Sequence, residues 1–180
     1  MRKIPTIFER DPETNFRTLT KNHHPECEWV FDGEGVATRK FDGTCCLIED
    51  GVLYKRREVK AGKEEPPLFR RITTDKNTGK SVGWVPVSDK PQDKFHREAM
   101  KEGLTDGTYE LVGPKIQGNP EGYSEHVLLP HGEVELVNAP RDFDALQGYL
   151  KKCPFEGVVW HHPDGRMCKI KRKDFWLSHK

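Results

Sequence analysis

The sequence predicts an α+β domain built on antiparallel sheet. Two turn signals, Asp50-Gly51 and Pro163-Asp164-Gly165, each stand between strand-like runs and predict β-hairpins. Two helical patterns, residues 93–103 and 142–152, supply the α part. A chain of 180 residues fits one folding unit, so a single domain over residues 1–180 is predicted.

The remaining elements are predicted from local pattern in chain order. The first hairpin occupies residues 45–58, and the following residues 61–83 are predicted to be a long loop because they are rich in Lys, Pro, Thr and Gly. The second helix is expected to be capped by Asp142 or Asp144. Three further runs read as strands: TYELVG (108–113), HVLLP (126–130) and EVELV (133–137).

Composition excludes several classes of protein. Hydrophobic residues make up 34% and charged residues 33%, which is polar for a globular chain, yet apolar runs recur along it and predict a fold rather than disorder. No run approaches the roughly 18 apolar residues of a membrane span. The first residues lack the apolar core of a signal peptide. We therefore expect a cytoplasmic protein without a membrane partner.

The five cysteines are predicted to be packing residues. Their number is odd, their spacing is scattered and no Cys-x-x-Cys occurs, so the sequence predicts neither a disulfide framework nor a zinc site.

Basic residues cluster although the net charge is only +1. Such local clusters favour contacts with a polyanion. The clusters are Arg56, Arg57, Lys60 and Lys63, then Arg70 and Arg71, then Lys169, Lys171, Arg172 and Lys173.

Four short segments contain the candidate chemistry, and each alone is a weak signal. They are Lys40-Phe41-Asp42-Gly43, Tyr109–Gly113, Phe155–Val159 and Lys169-Ile170-Lys171. In this order the segments resemble the nucleotidyltransferase superfamily of ATP-dependent ligases and mRNA capping enzymes, over residues 38–173. The sequence around these segments resembles the compact 5′-to-3′ RNA ligases, and the resemblance includes KFDGTCC, GWVPV and FEGVVWHHPDGRMCKIKRKDF.

This resemblance implies an antiparallel-sheet nucleotidyltransferase fold, like the ATP-grasp-like adenylation domain of ligases. Only seven residues follow Lys173, so no OB-fold domain is expected. The implied function is an ATP-dependent RNA ligase that joins 5′-phosphate and 3′-hydroxyl RNA ends through lysyl-AMP, with Mg²⁺ or Mn²⁺, in RNA repair. The alternatives are a DNA nick ligase or other adenylyltransferase, and an inactive nucleic-acid-binding module of the same fold.

The resemblance also assigns catalytic lysines. Lys40 is the expected nucleophile, aimed by the turn at Asp42 and Gly43. Its amine must be neutral to attack phosphorus, and burial or nearby cations lower a lysine pKa. Lys169 and Lys171 stand at i and i+2 on one strand face, so both can reach the α-phosphate and depress the pKa of Lys40.

The other expected roles concern the nucleotide and its metal. By the resemblance, Glu156 is the metal-associated carboxylate, Glu110 accepts hydrogen bonds from the ribose, and Val158 lines the adenine pocket. An arginine that holds ribose or phosphate is either Arg56 or Arg57, which point to opposite strand faces; Arg56 is favoured.

The remaining contacts to assign are those with the nucleic-acid backbone, with the 5′-phosphate and with the adenine base. The basic segment 55–71 is the candidate for the phosphate backbone. One RNA ligase group uses an asparagine where this chain has Cys45, so another group must bind the 5′-phosphate. No aromatic residue stands at the family's adenine-stacking position, which leaves Trp84, His126 and His131 as candidates.

Overall fold

The structure is a computed structural model that describes residues 1–176. It divides into two compact units: unit 1 has one sheet, unit 2 has two, and each unit has its own core. Unit 1 comprises Met1–Arg2 and Asp42–His131, and unit 2 comprises Lys3–Phe41 and Gly132–Lys180. The single domain expected from chain length stays a prediction.

The regular elements of the described residues are antiparallel strands and a few short helices, which agrees with the α+β prediction. The strands are β1 (Phe8–Arg10), β2 (Leu19–His23), β3 (Val36–Lys40), β4 (Thr44–Glu49), β5 (Val52–Val59), β6 (Arg70–Thr74), β7 (Ser81–Pro86), β8 (Gly107–Val112), β9 (Val127–Pro130), β10 (Gly157–His161) and β11 (Met167–Lys171). The helices are α1 (Glu28–Phe31), α2 (Lys94–Ala99), α3 (Phe143–Lys152) and α4 (Arg172–Trp176).

Unit 1 is a six-stranded sheet in the order β6-β7-β5-β4-β8-β9 with every neighbouring pair antiparallel. The predicted hairpin of β4 and β5 is confirmed. Its turn residues, Asp50 and Gly51, have φ values of 50° and 73°, as a two-residue hairpin turn of the I′ type requires. The predicted loop over 61–83 is wrong in part, because residues 70–74 form β6 and β7 begins at Ser81.

One face of the unit 1 sheet carries the hydrophobic core. Side chains alternate along each strand, so Cys46 and Ile48 of β4 share a face with Tyr109 and Leu111 of β8. Ala99 of α2 packs into the same cluster. The opposite face is therefore left for Cys45 and Glu110, which pair with each other in register.

Unit 2 contains a three-stranded antiparallel sheet, β11-β10-β3, and the two-stranded sheet β1-β2. The core on one face includes Val158, Trp160 and Ile170, together with Leu146 and Leu150 of α3. The hairpin of β10 and β11 is confirmed. Helix α3 is also confirmed, and Asp142 is its cap: the carboxylate accepts a hydrogen bond from the Ala145 amide at 2.9 Å.

Two other local predictions are wrong. The run EVELV forms no strand; its only pairing is a bridge between Glu135 and Thr38. The helix expected to continue to Gly103 ends at Ala99, where Met100 takes an extended conformation.

The prediction that all cysteines are packing residues also needs correction. Cys27 and Cys168 are fully buried in the unit 2 core, and the structure joins them by a disulfide with a Cα–Cα distance of 6.1 Å. Sequence spacing could not show this, because 141 residues separate the two cysteines. Cys45, Cys46 and Cys153 are free.

Candidate functional site

A row of lysines crosses the unit 2 sheet. Gly157 of β10 pairs with Lys40 of β3 on one side and with Lys171 of β11 on the other. Residues directly opposite in a sheet project to the same face, so both lysine side chains flank the glycine. Val159 pairs with Lys169 in the next row of that face. The sheet thus brings Lys40 next to Lys169 and Lys171, which lie far from it in the sequence, and these three residues are called the lysine row.

The glycine at the centre of this row is required by space. A Cβ added to Gly157 would lie 2.1 Å from the carbonyl oxygen of Ile170, far inside van der Waals contact. The lysine row therefore depends on a residue without a side chain between the two outer strands.

Lys40 makes its closest charged contact with Glu156. Its Nζ lies 2.7 Å from Glu156 Oε2, and both side chains are largely but not fully buried, 21% and 16% exposed. Lys40 also donates to the Phe41 carbonyl at 3.4 Å. Hence two residues expected to serve catalysis and metal binding already touch across 116 positions of sequence.

Burial and neighbouring positive charges lower the proton affinity of two members of the row, Lys169 and Lys171. Burial, reinforced by the charges of Lys171 and Lys40, lowers the pKa of Lys169 from 10.5 to about 8. Burial lowers the pKa of Lys171 as well, against the opposing effect of Asp174. A cluster of crowded cations in this setting favours binding of a polyanion, which would relieve the repulsion.

Asp174 supports the row and is a residue that sequence analysis missed. It is buried, and its carboxylate accepts hydrogen bonds from the Lys171 amide at 2.8 Å and from Arg10 at 2.6 Å. The contact with the amide is the reaching-back half of a capping box at the start of α4. The signal for this contact in the sequence is the spacing of three residues between Lys171 and Asp174, which is the spacing of a capping box.

Val158 does not lie beside the lysines. It is fully buried in the core cluster on the other face of the sheet, so the expected adenine-lining role does not fit its position. Val159 is the valine on the lysine face. The two valines face opposite sides of the sheet because side chains alternate along a strand.

Unit 1 presents a second polar cluster on the sheet face opposite its core. Glu110 of β8 is buried, and its Oε2 lies 2.7 Å from Nε2 of His131. Its other oxygen accepts a hydrogen bond from the Gly43 amide at 3.2 Å. Cys45 of β4 pairs with Glu110 in register. Both carboxylate oxygens are thus already held by neighbours.

Gly43 is fixed by close packing against β8. A Cβ there would lie 2.1 Å from the Leu111 carbonyl oxygen and 3.0 Å from Glu110 Cγ. The neighbouring Asp42 amide donates to Glu121 Oε1 at 2.8 Å. The Asp-Gly pair is therefore anchored to unit 1 by its backbone amides.

The two candidate arginines of β5 are separated by the strand. Lys55 pairs with Cys46, whose side chain lies in the core, so Arg56 lies on the opposite face with Cys45 and Glu110. Arg57 points to the other face, where it lines a groove of about 370 Å³ with Lys55 and the Pro66-Pro67 segment. Arg56 therefore shares the face of Glu110, and its role toward ribose or phosphate stays a prediction.

The three candidate stacking aromatics occupy different settings. Trp84 is 4% exposed and pairs with Arg56 across β5 and β7, so it shares the Glu110 face but offers little surface. His126 is stacked on Phe95 at a centroid distance of 4.4 Å. His131 is bonded to Glu110, which is a positioning contact rather than a stacking one.

Many cations of segment 55–71 have acidic partners. Arg70 pairs with Glu49, and Arg71 pairs with Glu65. Lys55 pairs with the buried Asp93. The candidate nucleic-acid segment is therefore less free to bind phosphate than its sequence suggests, because these ion pairs must be exchanged for phosphate contacts.

The donor sets fit an anionic nucleotide and a hard cation. The lysine row offers fixed positive charge for phosphates. The Glu156 carboxylate is an oxygen ligand of the kind that Mg²⁺ prefers, often with only one or two carboxylates and several waters.

Comparison with known proteins agrees with these features. A family model described as RNA ligase 1 matches residues 97–179. The curated RNA ligase 1 of Danio rerio is 24% identical over 98% of this chain and 81% of its own length, and that of Rattus norvegicus is 25% identical over 98% and 81%. The resemblance to RNA ligases is confirmed. A shorter match to RNA ligase 1 of Pongo abelii reaches 38% identity over 41% of this chain and 26% of that protein.

The RNA ligase 1 family match spans Glu110, Glu156, Lys169 and Lys171, whereas Lys40 and Arg56 precede it. Among the described residues, no helix is both long and apolar enough to cross a membrane.

Proposed function

We propose that this protein is an ATP-dependent RNA ligase that joins 5′-phosphate and 3′-hydroxyl RNA ends through a lysyl-AMP intermediate on Lys40. The observation that carries the proposal is the lysine row of unit 2, in which Lys40, Lys171 and Lys169 share one sheet face beside Glu156. The similarity to curated RNA ligase 1 proteins supports the choice of RNA as substrate.

In the first step, the neutral Lys40 amine attacks the α-phosphorus of ATP. A nitrogen–phosphorus bond forms, the bond between the α-phosphorus and the bridging oxygen breaks, pyrophosphate leaves and the nitrogen releases a proton to solvent. Negative charge grows on the leaving group and on the phosphoryl oxygens. Lys169 and Lys171 stand on the same face and offer the fixed charge that opposes it. An Mg²⁺ or Mn²⁺ ion bound at Glu156 would neutralise further phosphate charge and draw the carboxylate away from the Lys40 ammonium.

The later steps use the AMP that is bound to Lys40. AMP passes from Lys40 to the 5′-phosphate of RNA, and the 3′-hydroxyl then attacks that phosphate and releases AMP. In unit 1, Glu110 and Arg56 are proposed to bind the ribose and a phosphate, since both are polar groups on one sheet face.

The test is labelling of the protein with ATP that carries its tracer on the α-phosphate or on the γ-phosphate, with magnesium present. We expect label from the α-position alone in the wild type and in Lys151→Ala, an exposed lysine of α3 used as the control. Lys40→Ala should take none while keeping the wild-type melting temperature. Label retained in folded Lys40→Ala would remove Lys40 as nucleophile.

The same preparation separates the alternatives. Competition between RNA ends and nicked DNA distinguishes an RNA ligase from a DNA ligase, since joining of DNA alone would refute the RNA assignment. A nucleic-acid-binding module without activity would take no label in protein shown by mass spectrometry to be free of AMP.

A further inference from the structure

We propose that Cys45, Glu110 and His131 form a binding site for a thiophilic metal ion of the Zn²⁺ class, separate from the site at Glu156. One ligand atom from each of the three residues lies within 4.8 Å of the others. The residues come from three neighbouring elements of unit 1: strand β4, strand β8 and the residue that follows β9.

The sheet register explains the convergence. Cys45 pairs with Glu110, which pairs in turn with Leu129 on β9. His131 lies two residues beyond Leu129 and therefore on the same face. Its amide donates to the Thr108 carbonyl at 3.1 Å, which continues the β8-β9 ladder and fixes the imidazole beside Glu110.

The geometry needs only a small adjustment to hold zinc. Tetrahedral Zn²⁺ binds sulfur at about 2.3 Å and nitrogen or oxygen at about 2.0–2.2 Å, which places ligand atoms roughly 3.5 Å apart. His131 Nε2 and Glu110 Oε2 are already 2.7 Å apart, so they must separate slightly while the thiol closes in. Three protein ligands leave a fourth position open, as in catalytic zinc sites.

The donor set selects the metal. A thiolate and an imidazole suit zinc and other soft or borderline ions, whereas Mg²⁺ prefers oxygen ligands. Millimolar magnesium in a ligase reaction should thus not fill this site. The Glu156 site has the opposite preference, because its carboxylate offers only oxygen ligands.

Two neighbours are suited to support a bound ion. Arg56 lies on the same sheet face as Cys45, where its positive charge favours the thiolate that metal binding creates. The Gly43 amide holds the second Glu110 oxygen at 3.2 Å, which orients the carboxylate. Without a metal, burial and the charge of Glu110 raise the pKa of Cys45 to about 11, so zinc binding at neutral pH must release the thiol proton to solvent.

Zinc at this site would also compete with the nucleotide. This consequence rests on the proposed function, in which Glu110 accepts hydrogen bonds from the ribose. A carboxylate that ligates zinc cannot take up that role fully, so occupancy should inhibit AMP transfer to Lys40.

Binding is tested first, without ATP. The chelator-treated, thiol-reduced full chain is titrated with ZnCl₂ against a chromophoric zinc indicator, for the wild type, Cys45→Ser, His131→Gln and the control Cys153→Ser. Cys153 is another free, partly buried thiol, in unit 2. We expect about one zinc per chain in wild type and control, and at least a tenfold weaker affinity in the two site variants. Equal affinity in all four proteins, or none in the wild type, overturns the proposal.

A second measurement avoids reliance on variants that fold poorly. Alkylation of the wild type with iodoacetamide, followed by peptide mass mapping, should show that zinc protects Cys45 and leaves the reactivity of Cys153 unchanged. Equal protection of both cysteines, or of neither, would contradict the assignment of Cys45 as a ligand.

The inhibitory consequence is tested by lysyl-AMP labelling at fixed magnesium, with and without zinc. Each variant is compared with its own zinc-free rate. We expect zinc to reduce labelling at least tenfold in the wild type and less than twofold in Cys45→Ser. Zinc binding without loss of labelling refutes the competition while the site stands; absence of labelling at any zinc level refutes the ligase function and leaves the binding test intact.

Discussion

The crowding of Lys169 predicts that replacing it with methionine stabilises the protein at neutral pH while it impairs AMP transfer. The pKa of Lys169 falls from 10.5 to about 8 in the folded chain, a difference of about 2.5. At about 1.36 kcal/mol for each unit of pKa, holding the lysine charged in the fold costs at most about 3 kcal/mol at pH 7. Methionine keeps the length of the side chain without the charge.

The sign of the pH dependence follows from proton binding. Between pH 8 and 10.5 the unfolded chain holds more protons on Lys169 than the folded chain does, so the stability of the wild type rises with pH across this window. The advantage of Lys169→Met should therefore shrink from about 3 kcal/mol at pH 7 to about 1 kcal/mol at pH 10. Packing differences between the two side chains do not titrate and cannot produce this trend.

Urea denaturation of wild type and Lys169→Met at pH 7, 8.5 and 10 measures these differences directly. Lys151→Met, at an exposed position, is the matched control and should show no trend with pH. A difference between wild type and Lys169→Met that stays constant over this range would refute the buried-charge account. The labelling assay on the same proteins should show loss of lysyl-AMP in Lys169→Met alone.

Two further predictions concern the strands around the candidate sites. Arg56→Ala should weaken ATP binding at least tenfold in calorimetry, since a hydrogen bond to a charged group is worth about 1.5–3 kcal/mol and about 1.4 kcal/mol is tenfold in affinity. Arg57→Ala on the opposite face should change ATP binding little, and equal effects would mean that strand face does not decide the role. Gly157→Ala should cost roughly 1–3 kcal/mol of stability because its Cβ meets the Ile170 carbonyl, whereas Gly148→Ala in α3 meets nothing within 4 Å and should add up to about 1 kcal/mol. Thermal melts of the two glycine variants check the second prediction, and a neutral Gly157→Ala would show that β10 can shift.

Local signals in the sequence determined the elements whose causes are local. Asp50-Gly51 specifies its hairpin because few residues tolerate positive φ at both turn positions. Asp142 caps α3 through a contact three residues away. The i, i+2 spacing of Lys169 and Lys171 places both on one strand face. The four ordered segments also sufficed for the resemblance to RNA ligases, which the comparisons confirm.

Only the tertiary structure decided which distant residues meet. The choice between Val158 and Val159 depends on which face of β10 meets the core, and a shift of one residue reverses it. Strand β6 and the start of β7 lie in residues 61–83, whose weak periodicity predicted a loop. They form strands because β7 pairs with β5 and with β6, and this pairing outweighs local propensity.

Strand pairing also produces the two clusters of candidate functional residues. Lys40 reaches Glu156 and Lys171 because β3 and β11 pair with opposite edges of β10. Cys45, Glu110 and His131 converge because β4, β8 and β9 are neighbours, although the spacing of the three residues matches no metal motif. Sequence patterns report the face of a single strand, while the partner of that strand is set by hydrogen bonds and packing between segments far apart in the chain.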